Sequence, residues 1–216
     1  MINRILKKLF PFIILLLTGA AVFTQAQEPL NIDKFLPESC LIAGKFNQQQ
    51  RLADIPKPLD SSGQYIFNCS QGLIWATEQP QSETLVYRLD DKHYIQTPGE
   101  KAKRLRGRIN REMGKILNNL IGANREYLRD NFEQTLLNEN QLKLVPKNKH
   151  VRNHIASITV TPGIVDGKNT IQIDIDQVQE FLAITIFPIQ TFAQLDQPIC
   201  SEKFPAYSSS CALLFD

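Results

Sequence analysis

Residues 63–75, which read GQYIFNCSQGLIW, carry the clearest structural signal in this chain. Alternate positions along a β-strand face the same side of a sheet, and the polar turn at 70–72 divides the stretch into two such strands. Four large apolar side chains then share one face: Tyr65, Phe67, Leu73 and Trp75. Cys69 falls on the same face. The shared face therefore has three possible interpretations: an ordinary core, an apolar pocket or a redox site.

Similar short strands extend outward from this hairpin on both sides. Polar, glycine and proline turns separate them, and such close spacing predicts an antiparallel sheet. The predicted strands are 64–69, 73–78, 84–89, 93–97, 141–145, 155–161, 170–176 and 181–187. Residues 38–48 are predicted to begin as a short helix that runs into a strand. Residues 56–63 are predicted to form a loop or a sheet edge because of their prolines and glycine.

The middle of the chain has a different period. Between residues 109 and 137 the apolar positions recur at helical spacing in two stripes, which Gly122 separates. The stripes are Ile109, Met113, Ile116, Leu117, Leu120 and Ile121, then Tyr127, Leu128, Phe132, Leu136 and Leu137. Two helices, or one broken helix, are therefore predicted within the sheet, which gives an α+β fold. A sheet of eight or more strands tends to curl, so these helices would be placed to cover its concave face.

The first 26 residues have the features of a secretory signal peptide. Basic residues precede a mostly apolar run at 9–23, and Thr24 and Ala26 have the spacing that signal peptidase reads. A permanent anchor is the less favoured alternative, because the run is shorter than the ~20 residues that a membrane span needs and contains Pro11. Cleavage after Ala26 and a periplasmic location are predicted. The rest would form one domain over 27–195 and a C-terminal tail over 196–216.

Charge and motifs exclude several classes of function. The formal charge is +2, of which the predicted signal peptide contributes +3, so residues 27–216 carry −1. A near-neutral exported chain is not expected to bind nucleic acid. The sequence has no G-x-S-x-G, H-E-x-x-H or C-x-x-C motif. His150 and His154 fall in a predicted turn, where their spacing would not converge. We therefore expect no catalytic residues, no metal and no cofactor.

The four cysteines all follow the predicted signal peptide. An even number in an oxidising compartment suggests disulfides, and four cysteines allow three pairings. Cys200 and Cys211 enclose only ten residues, so a local staple of the tail is favoured, which leaves Cys40 to pair with Cys69. A pair of free buried thiols is the alternative.

A basic run leads into the first predicted helix. It contains Lys101, Lys103, Arg104, Arg106, Arg108 and Arg111. The simplest interpretation is an exposed loop. The alternative is a patch that meets anionic head groups or an acidic partner, because clusters of this size are attracted to anionic membranes.

Several short motifs, in order, resemble the LolA family of periplasmic lipoprotein carriers. The family pattern is a Phe-x-Gln strand, a Gly-x-hydrophobic strand, and a hydrophobic-x-Trp strand followed closely by a Gln-Pro turn. Here these positions are Phe46, Gln48, Gly63, Tyr65, Leu73, Trp75, Gln79 and Pro80. The resemblance covers most of residues 40–190.

The resemblance implies a curved antiparallel sheet that forms a half-open β-barrel, with the mid-chain helices as a lid. The concave face of such a protein shelters the acyl chains of a lipoprotein between an inner-membrane exporter and an outer-membrane acceptor, and we expect a monomer. The implied lipid-binding residues are Tyr65, Phe67, Leu73, Trp75, Leu85, Ile158, Val160, Ile171 and Ile173. The implied lid residues are Met113, Ile116, Leu117, Leu120 and Ile121. An ordinary packed core is the alternative for the same residues.

One position departs from the family pattern. Counting without gaps from Gly63 to Trp75 places Cys69 where well-studied members have an arginine that hydrogen-bonds the lid. Cysteine cannot supply the five donors of a guanidinium group. A disulfide between Cys40 and Cys69 that ties the N-terminal segment to the cavity rim is our hypothesis for its replacement. The departure also leaves open a non-lipoprotein cargo, such as a polyene or glycolipid, and a lipid-sensing regulator.

Overall fold

The structure is a computed structural model that describes residues 30–37 and 39–216. The predicted signal peptide, its cleavage site after Ala26 and residue 38, with which a short helix was predicted to begin, lie outside the described residues. No helix in the described part of the chain is long and apolar enough to cross a membrane.

Eleven antiparallel strands in the described residues form one sheet. They are β1 Leu41–Leu52, β2 Leu59–Asn68, β3 Gly72–Gln79, β4 Glu83–Arg88, β5 His93–Gln96, β6 Lys103–Arg104, β7 Phe132–Asn138, β8 Gln141–Pro146, β9 Ile155–Val165, β10 Lys168–Gln177 and β11 Glu180–Thr191. Their order in the sheet is β6-β5-β4-β3-β2-β1-β11-β10-β9-β8-β7. Sequence neighbours are therefore adjacent, except for β6 and β7, and the first and last strands pair at the centre. β6 and β7 are the two edges, so the sheet is open.

Five α-helices in the described part of the chain accompany the sheet. They are α1 Arg108–Ile121, α2 Arg125–Asn131, α3 Lys149–Arg152, α4 Gln197–Lys203 and α5 Ser208–Phe215. A short 3-10 helix, Asp33–Phe35, precedes β1. α1 and α2 lie between β6 and β7 in the chain, so the predicted α+β fold with helices inserted mid-chain is confirmed.

The sheet is strongly curved. Gly114 of α1 faces Tyr87 on β4, while Glu112, only two residues away on the same helix, borders a small cleft with His154, the residue before β9. Six strand spacings separate β4 from β9, so a flat sheet would hold these two strands about 29 Å apart. One layer of helix covers the concave face because the sheet bends around it.

The structure differs from three sequence-based expectations about local structure. Residues 41–44 are strand rather than helix, because Ile42 packs on the concave face while both edges of β1 are paired; from Phe46 onward the predicted strand is present. Of the loop or sheet edge predicted for residues 56–63, residues 59–62 are strand, because they pair with the polar end of β1. The second helix ends at Asn131, and residues 132–138 form β7 because they pair with β8.

A second apolar cluster lies on the convex face. Ile66, Ile74 and Val86 point away from the concave face and are buried by the C-terminal tail. Leu195 and Leu214 pack against them, and the buried disulfide Cys200–Cys211 joins α4 to α5. The side-chain amide of Asn68 donates a 2.7 Å hydrogen bond to the carbonyl oxygen of Leu195. The predicted tail is thus a packed layer held by the predicted staple.

Candidate functional site

The concave face and the helices above it enclose an apolar interior, called here the concave interior. The nine side chains predicted to line a lipid site all contribute to it. Tyr65, Phe67, Leu73, Trp75, Ile158, Val160, Ile171 and Ile173 are buried, and Leu85 is half-buried against them. The predicted lid residues meet them from the other side: Ile116, Leu117, Leu120 and Ile121 are buried, and Met113 packs against the same cluster. The structure therefore brings both predicted sets together, in a closed and tightly packed arrangement.

Aromatic rings form the centre of the concave interior. Trp75 stacks on Phe46 with ring centroids 3.8 Å apart and an interplanar angle of 20°. Tyr65 is the direct partner of Trp75 across β2 and β3, with a centroid distance of 6.2 Å. Flat aromatic surfaces of this kind pack well against acyl chains, because they add apolar area with little loss of side-chain entropy.

Helix α1 lies very close to the sheet at one point. Gly114 faces the ring of Tyr87, and a Cβ atom at this position would lie 2.5 Å from Cδ1 of that ring. The side-chain amide of Asn118 also donates a hydrogen bond of 3.1 Å to the carbonyl oxygen of Tyr87. The lid is therefore positioned on β4 by one close contact and one buried hydrogen bond.

A short segment before β1, residues 31–36, fills one end of the concave interior and is called here the plug. Ile32, Phe35 and Leu36 are buried in the same cluster as the predicted lipid-binding residues. An ion pair between Asp33 and Arg125 ties the plug to α2. Because both of these charged side chains are largely exposed, the pair contributes little stability. The plug is held mainly by its apolar side chains.

An opening of about 560 Å³ lies beside the plug. Apolar groups of Leu36, Ile42, Pro162 and Ile171 form part of its wall. Its polar wall residues are Lys34, Ser39, Asn140, Asn169, Thr170 and Thr191. Ile171 is the predicted lipid-binding residue that borders this opening. The site thus combines a mixed polar and apolar entrance with an apolar interior, an arrangement suited to an amphiphile.

The hydroxyl of Tyr65 is an unusual polar group in the concave interior. It is fully buried and has no hydrogen-bond partner among the described residues. Burial raises the pKa of Tyr65 well above its usual value, so the group stays protonated and remains a donor. The Oδ1 atom of Asn118 is likewise buried without a partner in the described chain.

The predicted disulfide between Cys40 and Cys69 is confirmed, with Cα atoms 5.2 Å apart. Both cysteines are exposed, and the bond joins the residue before β1 to the turn after β2. No cysteine in the described residues is free, so the alternative of buried thiols and the redox interpretation of Cys69 are not supported. The bond fixes the chain directly after the plug.

Other candidate features carry less weight. His150 lies in α3 rather than in the predicted turn, because the side chain of Asn148 caps this short helix, and it borders a small cleft together with His154 and Glu112. Within the described residues, however, no three metal-binding side chains are grouped to hold an ion. A second large cavity, of about 580 Å³, lies on the convex side and has mainly amide, hydroxyl and carboxylate groups in its wall. In the basic run, Lys103 pairs with Glu100 and all six cationic residues are exposed, as expected of a surface segment.

Buried His93 at the start of β5 predicts a pH-dependent stability. Its ring packs edge-on against Tyr87, and neither ring nitrogen has a partner among the described residues. Burial lowers its pKa, against the opposing effect of Asp91 and Asp90 and with a small contribution from Lys115 and Arg111. In the unfolded chain His93 has the ordinary pKa of about 6.5, so below this pH the unfolded chain binds a proton that the folded protein does not yet bind. The free energy of unfolding therefore falls as the pH drops below about 6.5, by up to about 1.4 kcal/mol per pH unit.

Urea unfolding of the parent and of His93→Phe between pH 8 and pH 5 measures this loss. We expect the parent to lose more stability below pH 6.5 than the variant. Parallel pH profiles of the two proteins would contradict the expectation.

Sequence reasoning missed the plug, Phe46 as a lining residue and the covered convex face. The plug has no periodic pattern of its own, because its three buried side chains occupy a single turn. The convex face did leave a signal: Tyr65-Ile66-Phe67 and Leu73-Ile74-Trp75 are continuous apolar runs, which are typical of strands buried on both faces.

No family model and no curated protein matches the chain. Among solved structures, it is similar to a LolA superfamily protein from Nitrosomonas europaea. The two chains are 11% identical, with a TM-score of 0.44, over 77% of this chain and 92% of that protein. A structural similarity of this degree does not support an inference about function. The proposed function therefore rests on the site itself.

Proposed function

We propose that this protein is a periplasmic carrier that shelters the acyl chains of a lipoprotein, or of a related lipid, in the concave interior. One observation carries the proposal. A large apolar face of the sheet is covered by a single layer made of α1, α2 and the plug, and it opens beside the plug through an amphiphilic entrance. Each CH₂ group moved from water into such an interior gains about 0.8 kcal/mol, so binding needs no covalent chemistry.

Further features support the same proposal. The motifs from Phe46 to Pro80 resemble those of lipoprotein carriers, and their aromatic positions lie in the concave interior. The two disulfides fit an oxidising compartment such as the periplasm. An inner-membrane exporter and an outer-membrane acceptor would complete the transfer, and no catalytic group is required.

Because the concave interior is filled with packed side chains, cargo can enter only if it displaces some of them. α1, α2 and the plug are the covering elements, and each is connected to the sheet by a short segment or directly. We infer that acyl chains enter as these elements move outward. Cargo would then replace side-chain contacts with contacts of similar apolarity, so release requires only a competing apolar site.

The cargo is identified by extracting lipids from natively purified mature protein and analysing them by mass spectrometry. A stoichiometric acylated peptide or lipoprotein supports the lipoprotein carrier. A polyene or glycolipid would instead assign a carrier for another lipid. A protein that neither retains lipid nor binds a triacylated lipopeptide in solution would contradict the proposal.

A matched pair of variants tests the location of the site. Ile171→Gln places a polar group between the entrance and the interior, where this side chain is only 8% exposed. We expect it to weaken binding of a fluorescent acyl probe about tenfold. Val178→Gln makes the same kind of change at a side chain that is 66% exposed, and it should bind like the parent. Equal losses in both variants would indicate a general effect on folding.

A further inference from the structure

The unpartnered Tyr65 hydroxyl has a defined position in the concave interior. The ring of Tyr65 lies across Gly44 of β1: a Cβ atom added to Gly44 would lie 2.8 Å from its Cε1 atom and 2.9 Å from its hydroxyl oxygen. Only glycine permits this arrangement, because any side chain at residue 44 would occupy the space of the ring. The hydroxyl is therefore held over β1 rather than pointing to solvent.

This position lies behind the wall of the opening beside the plug. Gly44 pairs with Pro188 of β11, and Pro188 borders the opening. Ile42, two residues before Gly44 and hence about 7 Å away along the strand, borders it as well. The hydroxyl itself is in the apolar interior, next to residues that form this wall.

A buried hydroxyl without a hydrogen-bond partner lowers the stability of the folded protein. Such groups are rare in proteins unless water or a ligand supplies the missing partner. Phe46, Trp75, Ile171 and Ile186, which belong to the same cluster, are aromatic or aliphatic and cannot accept a strong hydrogen bond. The carbonyl oxygen of Phe187 and the Tyr65 hydroxyl both lie close to the place of a Gly44 Cβ atom, at 2.1 and 2.9 Å, yet they are not hydrogen-bonded to each other. An acceptor that comes with a ligand would satisfy the hydroxyl.

We propose that the Tyr65 hydroxyl is a ligand-binding donor that hydrogen-bonds the carbonyl oxygen of an ester- or amide-linked acyl chain. This inference rests on the proposed function and narrows it to acyl rather than purely hydrocarbon or ether-linked ligands. A chain that enters through the opening places its hydrocarbon tail in the interior and its carbonyl group near the entrance, where the hydroxyl lies. One hydrogen bond of this kind corresponds to roughly a three- to tenfold difference in affinity.

The experiment compares 1-palmitoyl lysophosphatidylcholine with its 1-O-hexadecyl ether analogue, which has the same head group and chain length but no carbonyl. Displacement of a fluorescent probe gives both affinities. We expect the full-length mature protein to prefer the ester by about fivefold, and we expect Tyr65→Phe to lose this preference. Tyr207→Phe removes a tyrosine hydroxyl from the convex side, where it donates to Glu78, and should keep the preference of the parent.

The outcomes are distinguishable. If the parent binds both ligands equally, the role of Tyr65 is wrong while the carrier function stands. If the parent prefers the ester and Tyr65→Phe keeps that preference, the carbonyl is recognised elsewhere and the inference is overturned. If the parent binds neither ligand but binds a triacylated lipopeptide, the hydroxyl does not recognise a single acyl carbonyl and the inference is overturned while the carrier function stands. If the parent binds none of the three, the proposed function fails and the inference fails with it. Thermal unfolding of Tyr65→Phe guards against misfolding: removal of an unsatisfied buried hydroxyl should leave the free protein as stable as the parent or more so.

Discussion

Replacing Gly114 with leucine is expected to hold α1 away from the sheet and to open the concave interior. A Cβ atom at residue 114 would lie 2.5 Å from Cδ1 and 3.1 Å from Cε1 of Tyr87, which is itself buried. A leucine therefore cannot enter this contact unless the helix or the ring moves. Overpacking of this kind costs about 1–3 kcal/mol, and the better helix propensity of leucine offsets only part of that cost.

Two measurements on Gly114→Leu report whether α1 has moved away from the sheet. Urea unfolding should show a net loss of about 2 kcal/mol. An environment-sensitive apolar dye should fluoresce several-fold more strongly, because more of the concave interior is accessible.

Lys115→Leu is the matched control, since it places the same side chain one position along α1. The Lys115 side chain is 41% exposed and makes only an exposed ion pair with Asp91. We expect dye binding close to that of the parent. Unchanged dye fluorescence in Gly114→Leu would mean that the approach of α1 to Tyr87 does not keep the lid closed.

Deleting residues 193–216 is expected to have the largest effect on stability. The deletion exposes the convex face of the sheet, where Ile66, Ile74 and Val86 are at most 1% exposed in the intact protein. Re-exposing three such side chains costs about 1.5–3 kcal/mol each, or roughly 4.5–9 kcal/mol together. This is comparable with the total stability of a typical domain, so the truncated protein should be largely unfolded or aggregated.

Thermal unfolding by circular dichroism and size-exclusion chromatography test this expectation. The full-length variant with both Cys200→Ser and Cys211→Ser is the control, because it keeps the apolar side chains of the tail. Loss of a disulfide that closes a loop of this length costs about 3 kcal/mol, so the control should be weakened but folded. A truncated protein as stable as the parent would show that the tail adds nothing to the fold.

Much of the sheet follows from local patterns. In β10, the alternation of Ile171, Ile173 and Ile175 with polar residues predicts one buried face, and all three isoleucines are buried in the concave interior. The stripe from Met113 to Ile121 predicts α1 and its buried face for the same reason. β10 and α1 were predictable because each packs in the concave interior through one apolar face, and the spacing of apolar residues along the sequence is enough to identify that face.

Other parts depend on contacts that no local pattern encodes. Phe132 and Leu136 are four residues apart and mimic a helix, yet β8 pairs with this segment and holds it extended. The plug and the unpartnered Tyr65 hydroxyl arise from the packing of distant segments. In the candidate site, the apolar residues were therefore predictable, whereas the covering elements and the polar group at the entrance were not.

The pairing of β1 with β11 constrains the order in which the chain can fold. Strands β1 to β6 form by local hairpins, and so do β7 to β11, but the register that pairs Ile42 with Thr191 joins the two halves only at the end. Long-range pairing of this kind slows folding, and until it forms one edge of β1 has no partner. During synthesis from N to C terminus, this edge stays available for wrong pairings until the twelve residues of β11 have been made.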